Sequence, residues 1–111
     1  MILGDRMAHV YGYAVANPGA TKYVVAQAVS AKGMMKSGYA AIDRCSMAGL
    51  VELRVTGDLK QEVYPVPYEK LPTSAAKALA QWHTKRGRPV PAPLAARIRG
   101  IEALERLAHK A

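Results

Sequence analysis

The chain has a single cysteine, Cys45, so no internal disulfide can brace it. A lone thiol suits a reducing compartment, and a cytoplasmic setting is the expectation. Long apolar runs are missing too. None approaches the roughly 20 residues that a bilayer crossing needs. Met1 to Arg6 has no basic stretch leading into an apolar block, so neither a secretory leader nor a membrane partner is expected. Acidic residues are scarce: 8 Asp and Glu stand against 16 Lys and Arg, a formal net charge of +8. That balance points to polyanions such as DNA, RNA or an anionic surface. Internal repeats and low-complexity tracts are absent, and so are the usual signatures of catalysis. There is no Gly-rich phosphate loop, no Ser/His/Asp set with its local signature and no paired-carboxylate motif, which argues against an enzyme. His9, His83 and His109 are far apart with no Cys or carboxylate at ligand spacing, so no metal and no cofactor is expected.

What is present is a core. Half of the 111 residues are hydrophobic (50%), enough for one domain with a short extension. Asp5 is a candidate N-cap for a first helix, in which Met7, Val10, Tyr11, Ala14 and Val15 share a face and which Asn17-Pro18-Gly19 ends. Thr21 caps a second helix running to Val29, with Val25, Ala26 and Val29 inward. A turn from Ser30 to Gly33 leads to a third helix. Its buried stripe is Gly38, Ala41, Ile42, Cys45 and Ala48, and Gly49 closes it. Cys45 reads as a small core thiol, and the five methionines read as core filler.

Period-two patterning follows. Leu50–Val55 and Gln61–Val66 read as two strands joined by a turn at Thr56-Gly57-Asp58, making a hairpin with a short polar tip. Pro72 and Thr73 open a fourth helix with an apolar face of Ala75, Leu79 and Trp82, where Trp82 is a packing residue. Pro89, Pro91 and Pro93 mark a rigid linker. A fifth helix starts near Leu94 and runs to the C-terminus, with Leu94, Ile98, Ile101, Leu104 and Ala108 in its stripe and Leu107 at the edge.

Three segments in succession, Thr21-Lys-Tyr-Val-Val-Ala-Gln-Ala-Val29, Lys36-Ser-Gly-Tyr-Ala-Ala-Ile-Asp-Arg-Cys45 and Ala48-Gly-Leu-Val-Glu52, lead into the hairpin that ends at Val66. This arrangement resembles the winged helix-turn-helix superfamily over a little under half the chain. The turn between Val29 and Met34 is slightly longer than usual for the family. The resemblance implies that the third helix enters the major groove of double-stranded DNA while the hairpin, as a wing, touches the backbone or minor groove. It also implies contacts. Lys36, Ser37, Tyr39, Ala40 and Arg44 lie on the outward face of the third helix, where Lys36 meets either guanine acceptors or a phosphate. Thr21 and Lys22 stand at the start of the second helix, whose amides and positive dipole end favour a phosphate. Lys32 lies in the turn, and Arg54 and Lys60 flank the wing tip. Arg44 has an alternative role in pairing with Asp43 or Glu52.

Lys85-Arg86-Gly87-Arg88-Pro89 is open to two interpretations. Arg-Gly-Arg-Pro resembles an AT-hook, which would carry Arg86 and Arg88 into a narrow minor groove. Basic residues followed by Gly and Pro also describe an ordinary helix end.

The expected architecture is α+β: a mainly helical winged helix-turn-helix with a two-stranded wing and two C-terminal helices. Residues 1–70 would form the DNA-binding domain and residues 71–111 a helical extension. The fifth helix has little evident core to cover its stripe, so Leu94, Ile98, Ile101 and Leu104 are expected at a homodimer interface. The expected function is sequence-specific binding of duplex DNA, as a transcriptional repressor or a plasmid or phage DNA-maintenance factor. An RNA- or ribosome-associated module and a protein-interaction adaptor are the alternatives.

Overall fold

The computed structural model describes residues 1–110. In chain order the elements are α1 (Asp5–Ala16), β1 (Ala20–Thr21), α2 (Lys22–Val29), α3 (Met35–Ala48), β2 (Val51–Val55), β3 (Gln61–Pro65), a 3-10 turn at Tyr68–Lys70, α4 (Thr73–Lys85) and α5 (Ala92–Lys110). The class is α+β: five helices with a three-stranded antiparallel sheet of order β1-β3-β2. The sheet has one strand more than the hairpin the sequence predicts. Ala20 pairs with Val63 and Thr21 with Glu62, so the residue that caps α2 also anchors the hairpin. A two-residue strand carries no period-two signal, which is why the sequence hides it.

The α2–α3 crossing is close because α3 carries glycine there. A Cβ on Gly38 would come within 2.5 Å of the Ala26 carbonyl oxygen and 2.2 Å of Ser30 Oγ. At the far end of α3 the chain reverses on Gly49 at φ 81°, where Gly49 N–H donates to Ser46 and Leu50 N–H to Cys45. These two bonds satisfy two of the four carbonyls left free at the end of the helix, those of Cys45 and Ser46. They also deliver Leu50 into the core at the start of β2, where Leu50 and Cys45 are both fully buried.

One hydrophobic core runs through the molecule, with Val10, Val25, Ile42, Leu50, Val63, Leu71, Leu79 and Leu94 at its centre. Two expected interface residues belong to it. Leu94 is 0% and Ile101 3% exposed, so neither is free to face a second copy. They pack inside this chain because α5 folds back on α4 and the 3-10 turn. Arg97 secures it there by donating from Nε and Nη2 to the Leu71 carbonyl at 3.1 and 2.9 Å. Lys77 on α4 also pairs with Glu105 on α5 at 2.9 Å. Ile98 is half-buried against the core, whereas Leu104, Leu107 and Ala108 are exposed.

Several local expectations are corrected. The N-cap of α1 is Gly4, not Asp5. Asp5 is instead the first helical residue, and its carboxylate accepts from Trp82 Nε1 at 3.0 Å and pairs with Arg86. Val15 is exposed. The methionines divide: Met7 and Met35 pack on the core, while Met1, Met34 and Met47 face solvent. α5 starts at Ala92, so Pro93 lies in its first turn, where a missing N–H costs nothing, and not in a linker. The expected run of this helix to its final residue, Ala111, lies outside the described residues.

Candidate nucleic-acid interface

The N-terminal turn of α2, the outward side of α3 and the hairpin tip meet around one groove of about 520 Å3, lined by Thr21, Lys22, Tyr39, Leu59, Lys60 and their neighbours. Thr21 is held in place by its capping role, with Oγ1 accepting from Val24 N–H at 3.3 Å. Lys22 Nζ is held over the groove by Asp43 Oδ1 at 2.7 Å and lies 5.9 Å from the Tyr39 ring centroid. Thr21, Lys22, Tyr39 and Lys60, four residues singled out in the sequence, therefore come together in space from three separate elements.

On its other side, α3 borders a second groove of about 690 Å3, lined by Arg6, Ser37, Ala40 and Arg44 among others. α3 is therefore a ridge between two channels, with Lys36, Ala40, Asp43 and Met47 along its crest. Lys36, Asp43 and Met47 are exposed and Ala40 is half-buried. Ser37 Oγ donates to the Met34 carbonyl at 2.7 Å and tightens the first turn. Arg44 pairs with neither Asp43 nor Glu52, because those acids are taken by Lys22 and Arg54. Arg6, which the sequence reading passed over, donates to the Val29 carbonyl at 3.2 Å and joins Arg44 beside this channel.

Other residues named from the sequence lie elsewhere. Arg54 points onto the sheet face, 4.1 Å from the Tyr64 ring centroid and 3.0 Å from Glu52. Tyr64 donates to Glu62 at 3.0 Å, a bond that raises the phenol's pKa above its ordinary value. Arg54 is thus set among acids and is not part of the α2–α3–hairpin groove. Lys32 is exposed in the α2–α3 turn. At the end of α4 the backbone forms a helix cap, with Gly87 at φ 65° and Arg88 N–H donating to His83 and Gly87 N–H to Thr84. Arg86 and Arg88 both lie over the Trp82 ring, at 5.0 and 5.6 Å. This is the conformation of a helix stop, not the extended ribbon of a hook.

The hairpin tip also differs from its expected polar character. Leu59 is 85% exposed and adopts φ 61°, the sole positive φ outside glycine among the described residues. The tip closes through Thr56 N–H to Lys60 and Leu59 N–H to Thr56. An apolar side chain held in a left-handed conformation at a fully exposed tip is unfavourable in isolation, and no sequence pattern signals it.

Among the described residues no group of three or more metal-ligating side chains occurs, and no helix is long and apolar enough to cross a membrane. Comparison with protein-family models, with curated proteins and with solved structures returns no match to this chain.

Proposed function

We propose that the chain binds double-stranded DNA as a winged helix-turn-helix protein, with the ridge of α3 in the major groove and the β2–β3 hairpin on the adjoining backbone or minor groove. The observation that carries this is the convergence of Thr21, Lys22, Tyr39 and Lys60 on one groove with no carboxylate among its lining residues. A helix N-terminus, two ammonium groups and a tyrosine on one concave face suit a phosphate strand. The adjacent ridge supplies Lys36 for a base edge. The formal charge of +8 adds the long-range attraction such binding uses. The strand pairing through β1 supports the same reading, because it fixes the hairpin beside the N-terminus of α2. Control of transcription, or plasmid or phage DNA maintenance, is the proposed use.

Selection of bound sites from random duplex DNA, followed by competition with a duplex RNA of matched length, tests the proposal. A recovered consensus, a preference for DNA and a steep fall in affinity between about 50 and 200 mM salt are expected. A flat salt profile, or equal binding of the RNA, would overturn it.

A further inference from the structure

DNA binding leaves unexplained the cavity between α1 and α4. It measures about 400 Å3 and is walled by His9, Gly12, Tyr13, Tyr68, Trp82 and His83, with Arg88 also lining it. That size falls within the roughly 300–1,000 Å3 of small-molecule sites. The aromatic walls form a slot. The Trp82 ring meets His9 edge-on at 6.1 Å and His83 at 5.2 Å.

Three lining residues, His83, Gly12 and Arg88, define what the cavity could take. His83 contributes ring surface to the wall, with its Nδ1 enclosed by the fold and without a hydrogen-bond partner among the described residues. Burial, aided by the nearby Arg88 charge, lowers the imidazole pKa below its ordinary value, which favours the neutral ring at pH 7. Gly12 stands inside α1, where glycine weakens a helix. A Cβ there would meet nothing within 4 Å, so no neighbour in the chain demands glycine. Its bare backbone lets a flat group approach α1 closely. Arg88 supplies a charge: Arg86 is committed to Asp5, but Arg88 makes no ion pair among the described residues.

We infer that this cavity binds a small planar aromatic carboxylate, with the ring between the Gly12 backbone and Trp82 and the carboxylate accepting hydrogen bonds from the Arg88 guanidinium. The guanidinium donates two parallel N–H bonds to the carboxylate, strengthened by the ligand's charge. The site does not depend on DNA binding.

Benzoate is the probe, read by the emission of Trp82, the chain's one tryptophan, and by the amide NMR shifts of Gly12 and His83. Saturable binding at roughly millimolar or tighter affinity is expected for so small a ligand, with benzamide at least about tenfold weaker. Gly12→Leu fills the slot at an exposed position and should abolish the shifts while leaving circular dichroism and melting temperature equal or improved. Arg88→Gln should erase the preference for benzoate over benzamide. Absence of saturation up to about 10 mM, well above a millimolar constant, would overturn the proposal. So would undiminished binding by Gly12→Leu, or equal binding of benzamide by the unmodified protein.

Discussion

Lys22 Nζ lies 2.7 Å from Asp43 Oδ1, so the first residue of α2 is tied to the crest of α3 by an ion pair whose acid is 56% exposed. The pair positions Lys22, and it also sets a negative charge on the surface proposed to meet DNA.

Asp43→Asn should therefore tighten duplex binding. Removing one repelling charge and freeing one lysine is expected to raise affinity about three- to tenfold at low salt and to steepen the salt slope by about one. The folding free energy should change by under about 1 kcal/mol, as for other exposed pairs. Fluorescence anisotropy across a salt series reads the first effect and urea unfolding the second. Weaker binding would instead identify Asp43 as an acceptor for a cytosine amino group.

Lys36→Ala and Tyr39→Phe separate base contacts from packing. Lys36 is exposed and Tyr39 half-buried, so the phenylalanine keeps the ring and removes the hydroxyl. A side chain that reads a base should cost about 1–3 kcal/mol of binding and relax sequence preference at that position. Unchanged affinity in both variants would mean that α3 is not the reader.

Leu59→Gly should act in opposite directions on stability and on binding. Relief of the left-handed conformation should stabilise the fold by about 1 kcal/mol, while loss of the side chain at the tip should weaken DNA affinity. A variant that is both more stable and equally tight would show that the tip makes no contact.

The distal limit of the core is testable on α5. Ile101→Ala should destabilise by about 2–5 kcal/mol, whereas Leu104→Lys with Leu107→Lys should stay within about 1 kcal/mol of the parent. Chemical unfolding measures both. A melting temperature that depends on protein concentration in the parent but not in the double variant would mark pairing of copies through this end.

The Cys45 thiol offers a pH test. It is fully buried, donates to the Met7 carbonyl at 3.4 Å, and burial pushes its pKa up to about 12 from 9.0. Above pH 9 the unfolded thiol ionises while the folded one stays protonated. Its contribution to stability is thus complete below pH 9 and is lost progressively as pH rises toward 12. Tyr11, also raised by burial, acts in the same direction. Alkaline unfolding curves should show this decline, and a disulfide reagent at neutral pH should label Cys45 only as fast as the fold opens.

The parts of the fold legible in the sequence are those with local patterning. The α3 stripe of Gly38, Ala41, Ile42 and Cys45, the Gly49 stop, the Thr21 cap and the two long strands all carry short-range signals. What was hidden depends on partners distant in the chain. β1 is recognisable only through Val63 and Glu62. The burial of Leu94 and Ile101 depends on the chain returning past Leu71. An amphipathic stripe looks the same whether it packs on its own core or on another copy. For the candidate interface, the sequence named the cations but not their pairing: Lys22 with Asp43 is a tertiary fact, whereas Arg54 with Glu52 is a local pair two positions apart on one face of β2.

Asp5 and Arg86 are separated by 81 positions, and that interval has a meaning in time. A chain made at about 5–20 residues per second has to wait several seconds after Asp5 is synthesised before Trp82 and Arg86 exist to clasp it. Until then α1 has no α4 beside it, and the aromatic slot between them lacks its Trp82 and His83 wall. Any molecule that recognises the slot therefore recognises only chains completed at least through α4, so occupancy of the site would report that synthesis has passed that point.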